Sequence, residues 1–212
     1  MTKRAFLVLG PESSGTRLMT CLLISAGCYG DDGHEQRLDH GLPVAEPLIV
    51  WRRSLPHRGE WPDLRAIIRN LKGAGYETTA LVMSRDWHAL VQSQLAAPHA
   101  LDTETALAQI RQAYALIFYM LHVTDTPSEI VNLEALIQRP NEVAGHLMQR
   151  LGLPQPTGVE IYDANAKYYS ALPLVRDAET VRRVMMEKYG FEPTSEFIAD
   201  FVSFVEAMTD ES

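Results

Sequence analysis

One junction near the N-terminus constrains this chain more than any other feature. Ala5-Phe6-Leu7-Val8-Leu9 is a continuous apolar run that ends in Gly10, the pattern of a short strand buried on both faces of a parallel sheet. From Gly15 the pattern changes to a helix, with Leu18, Leu22, Leu23 and Ala26 on one face and Gly27 as its stop. Between strand and helix lies Gly10-Pro11-Glu12-Ser13-Ser14-Gly15-Thr16-Arg17, whose two glycines have four residues between them. That spacing, in that position, is the spacing of a loop that cradles phosphate. Its backbone N–H groups turn inward, and the start of the helix adds partial positive charge.

The rest of the chain alternates in the same way. Residues 28–46 are rich in Gly, Asp and His, lack periodicity and read as a long functional loop. Strands are expected at Leu48–Trp51, Thr78–Ser84 and Glu129–Leu133, and helices at Pro62–Leu71, from Asp86 to Ala96, from Asp102 to Leu121 and at Pro140–Leu151. Two further amphipathic helices are expected near 178–189 and 195–208. The predicted class is α/β: a three-layer, P-loop NTPase-like parallel sheet flanked by helices, with a helical C-terminal portion. At ~150 residues per domain, the 212 residues are expected to form a single domain, 1–212.

Composition narrows the function classes. A net charge of −8 opposes a nucleic-acid binder that works by neutralising phosphates, yet one small anion needs only two or three arginines. The apolar runs fall short of the ~20 residues of a membrane span. The run after Lys3 and Arg4 stops at Gly10, too early for a secretory core. The expectation is therefore a cytoplasmic protein with neither nucleic-acid nor membrane partner. Cys21 and Cys28 read as two buried free thiols, and no Cys/His cluster has structural-zinc spacing.

The loop also departs from the nucleotide-triphosphate pattern. Lysine and then a hydroxyl would follow the second glycine, to hold terminal phosphates and magnesium; here Thr16 and Arg17 follow it. Asp86 is the best magnesium candidate elsewhere, but it is better placed as a helix cap. ATP hydrolysis is disfavoured, and no metal is expected.

Ser13-Ser14-Gly15-Thr16-Arg17 resembles the 5′-phosphosulfate loop of sulfotransferases that use 3′-phosphoadenosine 5′-phosphosulfate (PAPS), in particular the heparan-type and bacterial members. Ser13 stands where many of them carry lysine, and Arg17 offers a replacement charge that is always protonated and grips two oxygens. The resemblance extends to Arg85 at a strand end with Ser93 eight residues on, a pair that in the family holds the 3′-phosphate. It also extends to Ile130-Val131-Asn132-Leu133-Glu134 and Leu151-Gly152-Leu153-Pro154. It implies a metal-independent transferase that moves a sulfuryl group from PAPS to a hydroxyl or amine of a small-molecule or glycan acceptor. Ser13, Ser14, Gly15, Thr16, Arg17, Arg85 and Ser93 would then contact the nucleotide. The family's arginine- and lysine-rich covering loop is missing, with Lys167-Tyr168-Tyr169 as its only stand-in.

Sulfuryl transfer needs a base for the acceptor proton, and the family places a His or Glu after the first helix. That segment here holds His34, Glu35 and His40. Glu35 has the spacing of the heparan-type acid; His34 and His40 are the alternatives. Arg52, Arg53, His57 and Arg58 read as a solvated basic loop, His99 as structural, and Tyr114, Phe118 and Tyr119 as core packing. Two other functions fit the same loop: a small nucleotide or metabolite kinase with a degenerate phosphate loop, and a non-catalytic domain that binds a phosphorylated ligand.

Overall fold

The computed structural model describes residues 2–37, 41–97, 99–169, 178–189 and 192–200. The chain divides into two compact units, 1–164 and 165–212. In the first, strands β1 (Lys3–Pro11), β2 (Leu48–Leu55), β3 (Tyr76–Ser84) and β4 (Ser128–Asn132) form one sheet in the order β2-β1-β3-β4. Every pair is parallel, with Val8 opposite Arg52 on one side and Leu81 on the other. Helices α1 (Thr16–Ser25), α2 (Leu64–Gly73), α3 (Trp87–Ala96), α4 (Thr103–Val123), α5 (Leu133–Gln138) and α6 (Pro140–Arg150) connect the strands and flank the sheet. In the second unit the described residues are helical at α7 (Ala166–Tyr169), α8 (Ala178–Tyr189) and 195–200. The remainder of the helix expected at 195–208 lies outside the described residues.

Two cores follow from the two-residue period of the strands. On one face Phe6, Val8, Leu81, Met83 and Val131 pack against Met19, Leu22 and Leu23 of α1 and Leu136, Leu147 and Met148 of α5 and α6. On the other, Ala5, Leu7, Leu9, Ala80 and Val82 meet Leu64, Ile67, Ile68 and Leu71 of α2 and Ala113, Ile117 and Leu121 of α4. This is the three-layer α/β arrangement that the alternating pattern predicts. It has a functional consequence. The chain leaves β1 for β2 on one side and later returns to β3 on the other. The crevice beyond the ends of β1 and β3 is thus a topological switch point, where such sheets bind ligands.

Local chemistry explains the boundaries. Asp63, Asp86, Asp102 and Asn132 each cap a helix by accepting from the N–H three residues on, at 2.7–2.9 Å. The helix expected from Pro62 thus starts at Leu64, behind the Asp63 cap. Asn132 also ends β4 and starts α5, so Leu133 is helical where the sequence suggested a strand residue. β2 runs four residues beyond the expected Trp51, because Arg52 and Arg53 are strand residues and buried. The solvated basic loop is therefore corrected for both. On α4, Tyr114 packs against the core as expected, half-buried and with its hydroxyl donating to the Met83 carbonyl at 3.0 Å, but core packing is corrected for Phe118 and Tyr119, which are exposed.

Ile68 is fully buried in the α2 face, away from the loop. Ile68→Ala should lower the unfolding free energy by ~2–5 kcal/mol, read as a shifted urea midpoint, with ligand binding by the folded fraction unchanged.

Candidate active site

The loop after β1 depends on two glycines for different reasons. A Cβ on Gly10 would meet the Ser14 hydroxyl at 2.2 Å and the Met83 carbonyl at 3.2 Å, so only glycine lets the loop fold back over β3. Gly15 has φ +96° and opens α1 with no side-chain cap, leaving the first-turn N–H groups to other acceptors. Ser13 also lies in the left-handed region, φ 70°, which non-glycine residues seldom adopt. Ser14 is fully buried, and its Oγ finds no hydrogen-bond partner among the described residues. Thr16 is buried, with Oγ1 3.2 Å from Ser54 Oγ on β2.

Arg85, buried at the end of β3, reaches back to the loop and donates to the Ser13 carbonyl at 2.5 Å. A cleft of about 450 Å³ opens here, lined by Ser13, Gly15, Arg17, Arg85 and, opposite them, Leu133, Ile137, Val159 and Tyr162. Arg17 is exposed and pairs loosely with Asp32 at 3.7 Å. Four of the seven expected nucleotide contacts thus share one wall, with two guanidinium groups among them. Ser14 and Thr16 lie buried in the loop, and Ser93 is half-buried on α3, outside the cleft lining. Asp86 sits at the cap of α3, as its spacing suggested.

A second group adjoins the loop, built around two buried carboxylates. Glu35 accepts from the Ser54 N–H at 2.9 Å, lies 3.7 Å from Arg53 Nε, and has Oε1 3.4 Å from His57 Nδ1. Glu12, inside the loop, accepts from the Arg58 N–H at 3.0 Å, and its two oxygens stand 3.3 Å from Nδ1 of His57 and of His99. The 31–37 loop is fastened to β2 by Arg52 and Arg53, which donate to the Asp32 and Gln36 carbonyls. Burial pushes the Arg52 guanidinium below its ordinary pKa, against the upward pull of Glu35. His34 is elsewhere: exposed and 3.1 Å from Asp31, whose carboxyl it holds below the usual range. His40 lies outside the described residues.

Buried polar atoms without hydrogen bonds concentrate here. Ser14 Oγ, Glu35 Oε2, Arg52 Nε, Arg53 Nε and Gln94 Oε1 all belong to the loop or its neighbours. Such atoms cost ~1–3 kcal/mol each, and a folded chain tolerates them where a ligand belongs. Among the described residues no group of His, Cys, Asp and Glu could hold a metal ion, and no helix is long and apolar enough to cross a membrane.

No family model and no curated protein matches the sequence. Among solved structures the chain is similar to a sulfotransferase domain from the curacin biosynthetic pathway. The TM-score is 0.50 and the identity 11%, over 95% of this chain and 98% of that one. The chain has a sulfotransferase-like fold: a parallel α/β sheet with a glycine loop after its first strand.

Sequence reasoning did not bring Glu12, His57 and His99 together. Glu12 carried a signal, since an acid inside a loop that collects negative charge must have cationic or hydrogen-bonding partners. Nothing local marked the histidines, which arrive from separate loops.

Cys21 and Cys28 are both free, Cys21 half-buried and Cys28 buried. Cys21 lines the cleft and donates its S–H to Asp32 at 3.3 Å; burial and that carboxylate raise its pKa. Burial pushes Cys28 up to about 12. Because the thiolate is the reactive form, iodoacetamide should label Cys21 slowly at pH 8 and faster as pH rises above 9. Cys28 should react only after unfolding. A ligand that fills the cleft should protect Cys21, as read by peptide mass spectrometry; unchanged labelling would place that ligand elsewhere.

Proposed function

We propose that this protein is a PAPS-dependent sulfotransferase, moving a sulfuryl group to the hydroxyl or amine of a small-molecule or glycan acceptor. The observation that carries the reading is the cleft in which Arg17 and Arg85 stand beside the glycine loop. The site fits the donor: a buried orphan hydroxyl at Ser14, an uncapped helix start at Gly15 and two permanent cations suit sulfate and phosphate oxygens. In this reading the loop from Ser13 to Arg17 holds the 5′-phosphosulfate, and Arg85, with Ser93, holds the 3′-phosphate. The donor supplies an activated sulfuryl group, so no lysine–magnesium pair is needed to make the leaving group.

The chain's own contribution is position and charge. Loop N–H groups and Arg17 stabilise negative charge as it grows on the bridging oxygen. Glu35, held by Ser54 and Arg53 beside Thr16, belongs to the group that handles the acceptor proton. His34, exposed and turned to Asp31, has no such neighbours in the loop.

Arg85→Ala should weaken adenosine 3′,5′-bisphosphate by ~10–150-fold, the ~1.5–3 kcal/mol of a charge-assisted hydrogen bond. Adenosine 5′-phosphosulfate, lacking the 3′-phosphate, should lose at least tenfold less in the same calorimetric titration. Equal losses would reduce Arg85 to its brace on Ser13.

A further inference from the structure

A second cavity, of about 350 Å³, lies along the outer edge of β2 and shares no lining residue with the cationic cleft. Val50 and Trp51 of the strand line it, together with Tyr29, Leu42 and Pro43 of the long loop. The loop is fastened to the strand at both ends of this stretch. The Tyr29 N–H donates to the Leu48 carbonyl and the Tyr29 carbonyl accepts from the Val50 N–H, both at 2.9 Å. Gly30 must follow, because a Cβ there would stand 2.4 Å from Val50 Cγ1. Farther on, Gln36 Nε2 donates to the Asp31 and His34 carbonyls, and its Oε1 accepts from the Arg52 N–H at 2.6 Å. Pro43 is held from β3, where the Tyr76 hydroxyl donates to its carbonyl at 2.9 Å. Trp51 is only 2% exposed, and its indole N–H finds no acceptor among the described residues. Indole nitrogen can only donate, and a buried donor left without an acceptor is costly. The charged lining groups are already engaged. Asp31 accepts from the Gly33 and His34 N–H groups and meets the His34 ring, and Arg37 is not free.

We propose that this cavity is a second ligand site, which takes an uncharged ring compound carrying a carbonyl oxygen as the acceptor for the Trp51 indole N–H. Apolar walls with a few placed polar groups are the general form of a small-molecule site. Here the ring rests against Leu42, Pro43 and Tyr29, the last more than half exposed, and the oxygen satisfies the buried donor. A carboxylate is the wrong partner. It would surrender its water beside Asp31 and an arginine that is already engaged, and burying an uncompensated charge costs far more than burying a ketone. Asp31 lines this cavity and Asp32 lines the cleft, so one turn of the loop serves two sites of opposite character, one cationic and one neutral. The site stands on its own residues and does not depend on what the cleft binds.

Nitrogen-15 spectra of the full chain test this directly, because they resolve the indole N–H groups of its three tryptophans. Trp51→Phe assigns the Trp51 signal; Trp61→Phe and Trp87→Phe, at partly exposed positions, assign it by elimination if that variant fails to fold. Acetophenone should move the Trp51 proton downfield, saturably. Ethylbenzene, the same ring without the oxygen, should bind about three- to tenfold more weakly, the span of one net hydrogen bond. Benzoate should bind at least about tenfold more weakly than acetophenone. In Trp51→Phe the advantage of acetophenone over ethylbenzene should vanish, whereas Tyr29→Ala should weaken both alike. A Trp51 signal that ignores acetophenone, ethylbenzene that binds as tightly, or benzoate that binds more tightly overturns the proposal. So does displacement of acetophenone by adenosine 3′,5′-bisphosphate, which would make the cavity part of the anion site. Failure of the bisphosphate to bind at all, with acetophenone still bound, counts against the sulfotransferase reading and leaves this site standing.

Discussion

A carboxylate sits inside a loop whose geometry collects negative charge, and the surrounding structure answers it. Glu12 is buried between Gly10 and Gly15, where an unpaired charge would be expensive. It is met by His57, His99 and the Arg58 N–H, and its own carbonyl accepts from Gln94 at 2.9 Å. These partners come from the segment after β2, from α3 and from the turn after α3. One acid thereby ties three connections to the loop. Arg85 adds a fourth tie through the Ser13 carbonyl. The loop's shape is then set by long-range contacts as much as by its glycines; Arg17 lines the cleft, whereas Glu12 pairs with His57 and His99.

That division of charge gives the site two sides. Arg17 and Arg85 line the cleft at the switch point between β1 and β3 and make that wall cationic. Glu12 and Glu35 lie with His57 toward β2, where Arg53 also meets Glu35. Buried Arg52 and Arg53 hold the Glu35 loop against β2 through carbonyls, so the acid's position follows from strand register and not from a free loop. The unsatisfied nitrogens and oxygens around it are the price of that arrangement.

Local chemistry made most of the fold legible in the sequence. The apolar run of Ala5–Leu9, the cap aspartates and the helical spacing of Leu18, Leu22 and Leu23 each act within a few residues. Their structural outcomes match the pattern. Misreadings arose where tertiary context overrides local character. Arg52 and Arg53 look solvated by composition, yet strand register buries both. Leu133 looks like a strand residue, but the Asn132 side chain caps a helix there. The glycine loop and the strand-end Arg85 were readable because both are local signals. The His57–Glu12–Glu35 group was not, because its members are brought together only when β2 pairs with β1.

The central claim is a phosphate loop adapted to a 3′-phosphorylated nucleotide without metal. Calorimetric titration of the wild-type protein with adenosine 3′,5′-bisphosphate in EDTA, set against ATP with magnesium, tests it most directly. The account predicts micromolar binding of the bisphosphate that EDTA leaves unchanged, and weaker binding of ATP. Tighter binding of ATP, abolished by EDTA, would contradict it.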